Sequence, residues 1–188
     1  MQRRPFLLGL ALAGAGCTPL ASEHDPAVQA LRQGGCVLLL RHARTEPGVG
    51  DPPGFRLGEC STQRNLSEAG REDARAVGRW FAAAGLRPQA VRSSAWCRGI
   101  DTAQLAFGGS VPWPPLDSTF DSPSLSPSAT QALRDALAAI PPRRFEVWVT
   151  HQVNITALTG EVPAMGEGLV VGPQARVLAR WQAQRETG

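Results

Sequence analysis

The feature that most constrains the fold is a five-residue apolar run, CVLLL at residues 36–40, which leads directly into Arg41 and His42. An apolar run without polar alternation is typical of a strand that is covered on both faces, as in a parallel sheet between two layers of helices. A second run, FEVWVT at residues 145–150, leads in the same way into His151. The sequence therefore predicts two buried strands, each with a histidine at its carboxyl end.

Helical patterns alternate with these strands. Ser67 is a good N-cap for a helix that Gly85 ends, and apolar residues recur at helical spacing in the segments that follow. Strands alternating with helices indicate an α/β protein, a three-layer α/β/α sandwich with a mostly parallel central sheet. Further helices are expected over 98–107, 129–140 and 153–158, strands over 90–94, 169–171 and 177–181, and irregular segments over 43–66 and 110–127.

The first residues are typical of a targeting segment rather than of a folded domain. MQRRPFLLGLALAGAGC has two arginines, a short apolar run and small residues before Cys17. The paired arginines resemble a twin-arginine export signal, and the small residues before Cys17 resemble a bacterial lipobox, in which the cysteine is acylated. We therefore expect residues 1–21 to be an export signal and tether with lipidation at Cys17, and residues 22–188 to form one domain in the periplasm. An ordinary signal peptide, with Cys17 incidental, is the alternative.

Export affects how the other cysteines are interpreted. Cys36 opens the first apolar run, as a small buried hydrophobic residue would. Cys60 and Cys97 lie in polar segments, and an oxidising compartment allows them to pair. We therefore predict a disulfide between Cys60 and Cys97, with two free thiols as the alternative.

The two strand-end histidines are accompanied by arginines. Arg41 and Arg44 flank His42, and Arg98 begins the predicted helix that follows the strand expected over 90–94. Ligands of open α/β sheets bind beyond the carboxyl ends of the strands, and guanidinium groups match phosphate oxygens two at a time. The pattern indicates an anion-binding site in which a neutral histidine can attack phosphorus.

Four segments of the chain resemble, in order, the motifs of the histidine phosphatase superfamily (phosphoglycerate mutase-like, branch 1). RHART at 41–45 is similar to the Arg-His-x-x-Thr signature, and SSAWCR at 93–98 to the Thr/Ser-Ser-x-x-x-Arg motif. THQVN at 150–154 is similar to the second-histidine motif, and NLSEAGREDA at 65–74 to the segment that follows the first motif. Together they cover most of residues 36–160, so the chain is identified as an exported bacterial member with a phosphoglycerate mutase-like fold.

The resemblance implies a role for each matching residue. His42 accepts the phosphoryl group, while Arg41, Arg98 and His151 hold the phosphate and stabilise the transition state. It implies no cofactor and no metal. The substrate-binding residues that it implies are Arg41, Arg44, Thr45, Arg98 and His151.

The general acid is where the chain departs from the family. A leaving alkoxide needs a proton, and many members supply a carboxylate after the third strand. Asp117 matches best by position and Asp121 is second, with Glu46 and Asp51 in the first loop as alternatives. Some members lack a clear acid.

These observations predict a phosphatase that hydrolyses phosphomonoesters through a phosphohistidine on His42, outside the cytoplasm. A phosphorylated small molecule or an envelope sugar phosphate is the expected substrate. The alternatives are a phosphohistidine phosphatase and a non-catalytic phosphate-binding lipoprotein. A net charge of only +3 indicates no nucleic-acid partner, and a membrane is expected only through the N-terminal lipid.

Overall fold

The structure, a computed structural model, describes residues 24–48 and 50–182. The predicted export signal and Cys17 lie outside the described residues. Among the residues that are described, no helix has both the length and the apolar character needed to cross a bilayer.

The described residues form a central six-stranded sheet with the order β3-β2-β4-β1-β5-β6. Strands β1 to β4 are parallel, and β5 is antiparallel to both of its neighbours. The strands are β1 (Cys36–Arg41), β2 (Ala90–Ser93), β3 (Val111–Pro112), β4 (Phe145–Thr150), β5 (Glu167–Val171) and β6 (Val177–Gln182). The helices are α1 (Pro26–Gln33), α2 (Glu68–Ala83), α3 (Cys97–Phe107), α4 (Ser126–Ala138) and α5 (Gln152–Thr159).

Successive side chains of β1 point to opposite faces of the sheet and so belong to two separate hydrophobic layers. Leu38 and Leu40 pack into a cluster with α1, α2 and α3, whereas Val37 and Leu39 pack with α4 and α5 on the other face. Burial on both faces explains why the run is apolar throughout, and the predicted three-layer sandwich with a mostly parallel sheet is confirmed.

Helix α2 approaches the chain just beyond β1 very closely. The Ser67 side chain caps the helix by accepting a hydrogen bond from the Gly70 amide, as predicted. The Ser67 amide donates to the Arg44 carbonyl at 3.1 Å, and a side chain at Gly70 would clash with that same carbonyl. A glycine at position 70 therefore allows the helix to pack against the segment that follows His42.

The segment 110–127 is more regular than predicted. Val111 and Pro112 form the short edge strand β3 beside β2, and the Trp113 amide donates to the Ser93 carbonyl. The expectation of an irregular segment was wrong here because pairing with a distant strand, rather than local periodicity, makes the strand. Helix α4 also begins three residues earlier than predicted, at Ser126.

Candidate active site

The two predicted histidines lie side by side at one edge of the sheet. Strands β1 and β4 are neighbours, with Arg41 in register with Thr150, so His42 and His151 are the next residues of the two strands. The His42 amide donates to the Thr150 carbonyl at 3.0 Å, and the ring centroids of the histidines are 5.3 Å apart. Both side chains are buried, with exposures of 2% for His42 and 4% for His151.

A backbone carbonyl determines which nitrogen of His42 is free to react. Nδ1 lies 2.9 Å from the Ala43 carbonyl oxygen, which can only accept a hydrogen bond, so Nδ1 carries the proton. Burial lowers the pKa of His42 to about 3, against the opposing effect of the Ala43 carbonyl, and the charges of Arg98, Arg41 and Arg64 lower it further. The imidazole is therefore neutral near pH 7, with an unprotonated Nε2 that can act as a nucleophile.

The second histidine is held from the neighbouring strand. His151 Nε2 shares a 2.9 Å hydrogen bond with Ser94 Oγ, and Ser94 directly follows β2. Burial lowers the pKa of His151 well below its usual value, and the neighbouring His42 and three arginines contribute to the same effect. The successive strands β2, β4 and β1 thus place Ser94, His151 and His42 in one row.

Three arginines surround these histidines closely enough for their charges to affect both pKa values. The Arg41 Nη1 donates to the Pro163 carbonyl at 2.8 Å, and the Arg98 Nη1 donates to Asp51 Oδ1 at 2.9 Å. The Nε atoms of Arg41, Arg64 and Arg98 are buried and have no hydrogen-bond partner among the residues that the structure describes. Buried donors without partners are costly unless a ligand satisfies them, and several guanidinium donors around a neutral histidine fit a tetrahedral oxyanion.

The two other residues predicted to bind substrate have partners elsewhere. The Arg44 guanidinium forms an ion pair with Asp73 of α2 and donates to the Ala69 carbonyl. The buried Thr45 hydroxyl lies 3.7 Å from the Met165 sulfur. The structure therefore brings His42, His151, Arg41 and Arg98 together and places Arg44 and Thr45 in contacts that support the loop.

The carboxylates considered for the general acid differ in their surroundings. Asp117 Oδ1 accepts a 2.7 Å hydrogen bond from the Ala95 amide, one residue from the serine that contacts His151. Burial raises the pKa of Asp117, against the opposing effect of that amide. A raised pKa is what a proton donor requires.

The other carboxylates have different surroundings. Asp51 forms an ion pair with Arg98, so a guanidinium already occupies one of its oxygens. Asp121 and Glu46 are exposed, although the Asp121 charge acts on Arg98. Asp117 is the carboxylate whose environment best fits an acid.

Sequence reasoning missed two residues of this site, Arg64 and Ser94. Ser94 belongs to the SSAWCR segment, but nothing in the sequence gives it a contact with His151. No local signal in the sequence separates Arg64 from Arg56, which pairs with Glu59 at the surface. The path of the loop brings Arg64 close enough for its charge to lower the pKa values of both histidines. The predicted disulfide between Cys60 and Cys97 is present, with Cα atoms 5.6 Å apart, and Cys36 is a buried free thiol.

Comparison with known proteins gives structural but no sequence relatives. No protein-family model and no curated protein matches the chain. Phosphoglycerate mutase from Thermus thermophilus is 18% identical, with a TM-score of 0.54 over 77% of this chain and 97% of that one. The product of the open reading frame Rv3214 from Mycobacterium tuberculosis is 20% identical, with a TM-score of 0.55 over 79% of this chain and 96% of that one.

A third similar structure is the protein histidine phosphatase SixA complexed with tungstate. It is 14% identical, with a TM-score of 0.51 over 79% of this chain and 97% of that one. The described chain therefore has the phosphoglycerate mutase-like fold. The fold that the sequence resemblance implies is thereby confirmed.

Proposed function

We propose that the protein is a phosphatase that hydrolyses phosphomonoesters through a phosphohistidine on His42. The observation that carries this proposal is the neutral His42, with its Nδ1 proton directed to the Ala43 carbonyl. It lies beside three arginines whose buried Nε donors have no partner within residues 24–48 and 50–182. A site that only bound phosphate would not need a nucleophile in this tautomer. The similarity to phosphoglycerate mutase and SixA structures is in agreement with phosphoryl transfer.

The reaction has two steps. In the first, His42 Nε2 attacks phosphorus, the phosphorus–oxygen ester bond breaks, and the leaving alkoxide takes a proton from Asp117. In the second, water attacks the phosphohistidine, Asp117 accepts a proton from that water, and the phosphorus–nitrogen bond breaks to release orthophosphate and neutral His42. Arg41, Arg64 and Arg98 stabilise the charge on the equatorial oxygens in both steps.

We propose the compartment and the substrate class from the sequence pattern of the first 21 residues. An export signal and a lipid on Cys17 would place the domain in the periplasm, where phosphorylated envelope sugars are available as substrates. A phosphohistidine phosphatase is the second candidate, and similarity to the SixA structures supports it at the level of the fold only.

The test is detection of the covalent intermediate. Protein mixed with a ³²P-labelled aryl phosphate and quenched in alkaline denaturant should carry label on His42, and His42→Ala should carry none. Hydrolysis of sugar phosphates and of phosphohistidine, measured on the same preparation, separates the two substrate classes. Failure to form labelled protein or to hydrolyse any member of the panel would refute the proposal.

A further inference from the structure

One carboxylate oxygen contacts two of the residues that surround the phosphate site. Asp51 Oδ1 accepts a hydrogen bond from Arg98 Nη1 at 2.9 Å and from the Arg64 amide at 3.0 Å. The Arg98 side chain is only 4% exposed, and that of Asp51 is 15% exposed. Asp51 therefore joins the long loop to the helix that carries Arg98.

This contact determines which edge of the Arg98 guanidinium is available to a ligand. The group is planar and rigid, so fixing Nη1 on Asp51 also fixes the direction of the Nε–H. That Nε is buried and has no hydrogen-bond partner in the described part of the chain. Burial lowers the pKa values of Arg41 and Arg98, and the charges of neighbouring arginines lower them further, whereas the Asp51 carboxylate opposes this effect at Arg98.

The loop that carries Asp51 has little regular structure of its own and is fastened to the start of α3. Cys60 forms the disulfide with Cys97, and the Cys97 amide donates to the Gln63 side chain at 2.9 Å. The rings of Phe55 and Trp96 lie 5.8 Å apart. The loop thus contacts three consecutive residues at the start of α3, namely the N-cap residue Trp96 and the first two helical residues, Cys97 and Arg98. Among these contacts, the disulfide is the only covalent bond.

We propose that Asp51 is a positioning residue for phosphate binding and that the Cys60–Cys97 disulfide maintains it in place. The inference rests on the proposed function, because it assumes that Arg98 and Arg64 bind the phosphoryl group. Reduction by a dithiol converts the disulfide into two thiols and the dithiol into its own disulfide. After reduction, only non-covalent contacts hold the loop against the start of α3. A chain with reduced cysteines therefore has low affinity for phosphate.

The experiment measures binding of orthophosphate by calorimetry, together with KM and kcat for an aryl phosphate, on the full chain. Asp51→Ala removes the acceptor oxygen, whereas Asp51→Asn keeps an acceptor oxygen and loses the charge. Glu59→Gln is the matched control because Glu59 lies in the same loop and pairs with the exposed Arg56. Cys36→Ser is the control for the double variant Cys60→Ser/Cys97→Ser, because Cys36 is a buried thiol outside the disulfide.

We expect Asp51→Ala to weaken orthophosphate binding and raise KM by about tenfold or more, the usual effect of losing a hydrogen bond to a charged group. Asp51→Asn should recover most of the loss, and the two controls should bind as the wild type does. Treatment with dithiothreitol, and the double cysteine variant, should weaken binding by a similar factor, and reoxidation of the wild type should restore it.

Two results would overturn the inference. One is binding by Asp51→Ala within about twofold of wild type while thermal unfolding shows an intact fold. The other is binding that does not change when thiol titration shows complete reduction. If Asp51→Ala does not fold, reversible reduction of the wild-type protein, which needs no substitution, still tests the inference. Wild-type oxidised protein that neither binds orthophosphate nor hydrolyses any phosphomonoester would refute the proposed function instead.

Discussion

The imidazole rings of His42 and His151 lie edge to face at the ends of two adjacent parallel strands, with their centroids 5.3 Å apart. A backbone carbonyl fixes the proton of His42, and a serine hydroxyl from the next strand contacts His151. Because burial lowers the pKa values of both rings, both are neutral near pH 7 and do not repel each other.

The first prediction concerns the nucleophile. His42→Ala should reduce kcat for an aryl phosphate by at least about 10³-fold, because no other group replaces the attacking nitrogen. Orthophosphate binding should fall much less, since the three arginines remain. Steady-state kinetics and calorimetry on the same sample check both parts, and a variant with near-normal kcat would exclude His42 as the nucleophile.

The second prediction concerns pH and stability. In the unfolded chain each histidine gains a proton below about pH 6.5, whereas His42 in the folded protein stays neutral down to about pH 3 and His151 also has a lowered pKa. The unfolded state therefore binds more protons in this window, and the free energy of unfolding decreases as the pH falls from 6.5 towards 3. Each histidine contributes up to about 1.4 kcal/mol per pH unit.

Urea unfolding at pH 7 and pH 5 measures this effect. The double variant His42→Asn/His151→Asn should lose less stability between the two pH values than the wild type does. Equal losses in the two proteins would show that other groups account for the acid sensitivity.

The third prediction concerns the arginine that sequence reasoning missed. Arg64→Gln should raise KM by about tenfold, because it removes a charged donor from the phosphate site. Arg56→Gln is the matched control, since Arg56 lies in the same loop and pairs with Glu59 at the surface. Michaelis–Menten kinetics on both variants provide the measurement. If Arg64→Gln and Arg56→Gln have equal KM values, Arg64 does not bind the substrate.

The fourth prediction concerns the general acid. Asp117→Asn should strongly reduce kcat for an alkyl phosphate, whose leaving group needs a proton, and should affect an aryl phosphate much less. Its pKa is raised by burial, so the acid form persists to a higher pH than for an exposed aspartate. Rates on the two substrates test this assignment, and wild-type activity of the variant on both would exclude Asp117.

The fifth prediction concerns the packing of α2 against the segment after His42. Gly70→Ala should lower the free energy of unfolding by about 2 kcal/mol or more and reduce activity, because the added carbon would clash with the Arg44 carbonyl. Gly50→Ala is the control, since a side chain there would meet no atom of the described residues within 4 Å. Thermal unfolding and phosphatase assays on both variants would detect the difference, and equal stability would contradict the close packing.

The sequence predicts most of the sheet and the core of the site. The apolar runs before His42 and His151 are local signals, because a strand buried on both faces needs them. Arg98 was predicted because it lies at the start of a predicted helix that follows a strand, and in the structure it is the second residue of α3. Arg64 and Ser94 could not be found in this way, since their contacts join segments far apart in the chain. The same reason explains β3, whose two residues become a strand only beside β2.

The position of β1 and β4 within the sheet has a consequence for hydrogen exchange. Each has a strand on both sides, whereas β3 and β6 are the edges. Local opening of a sheet begins where backbone groups have fewer partners. The amides of β1 and β4 should therefore exchange with solvent far more slowly than those of β3 and β6, so the scaffold of the two histidines persists through partial fraying of the molecule.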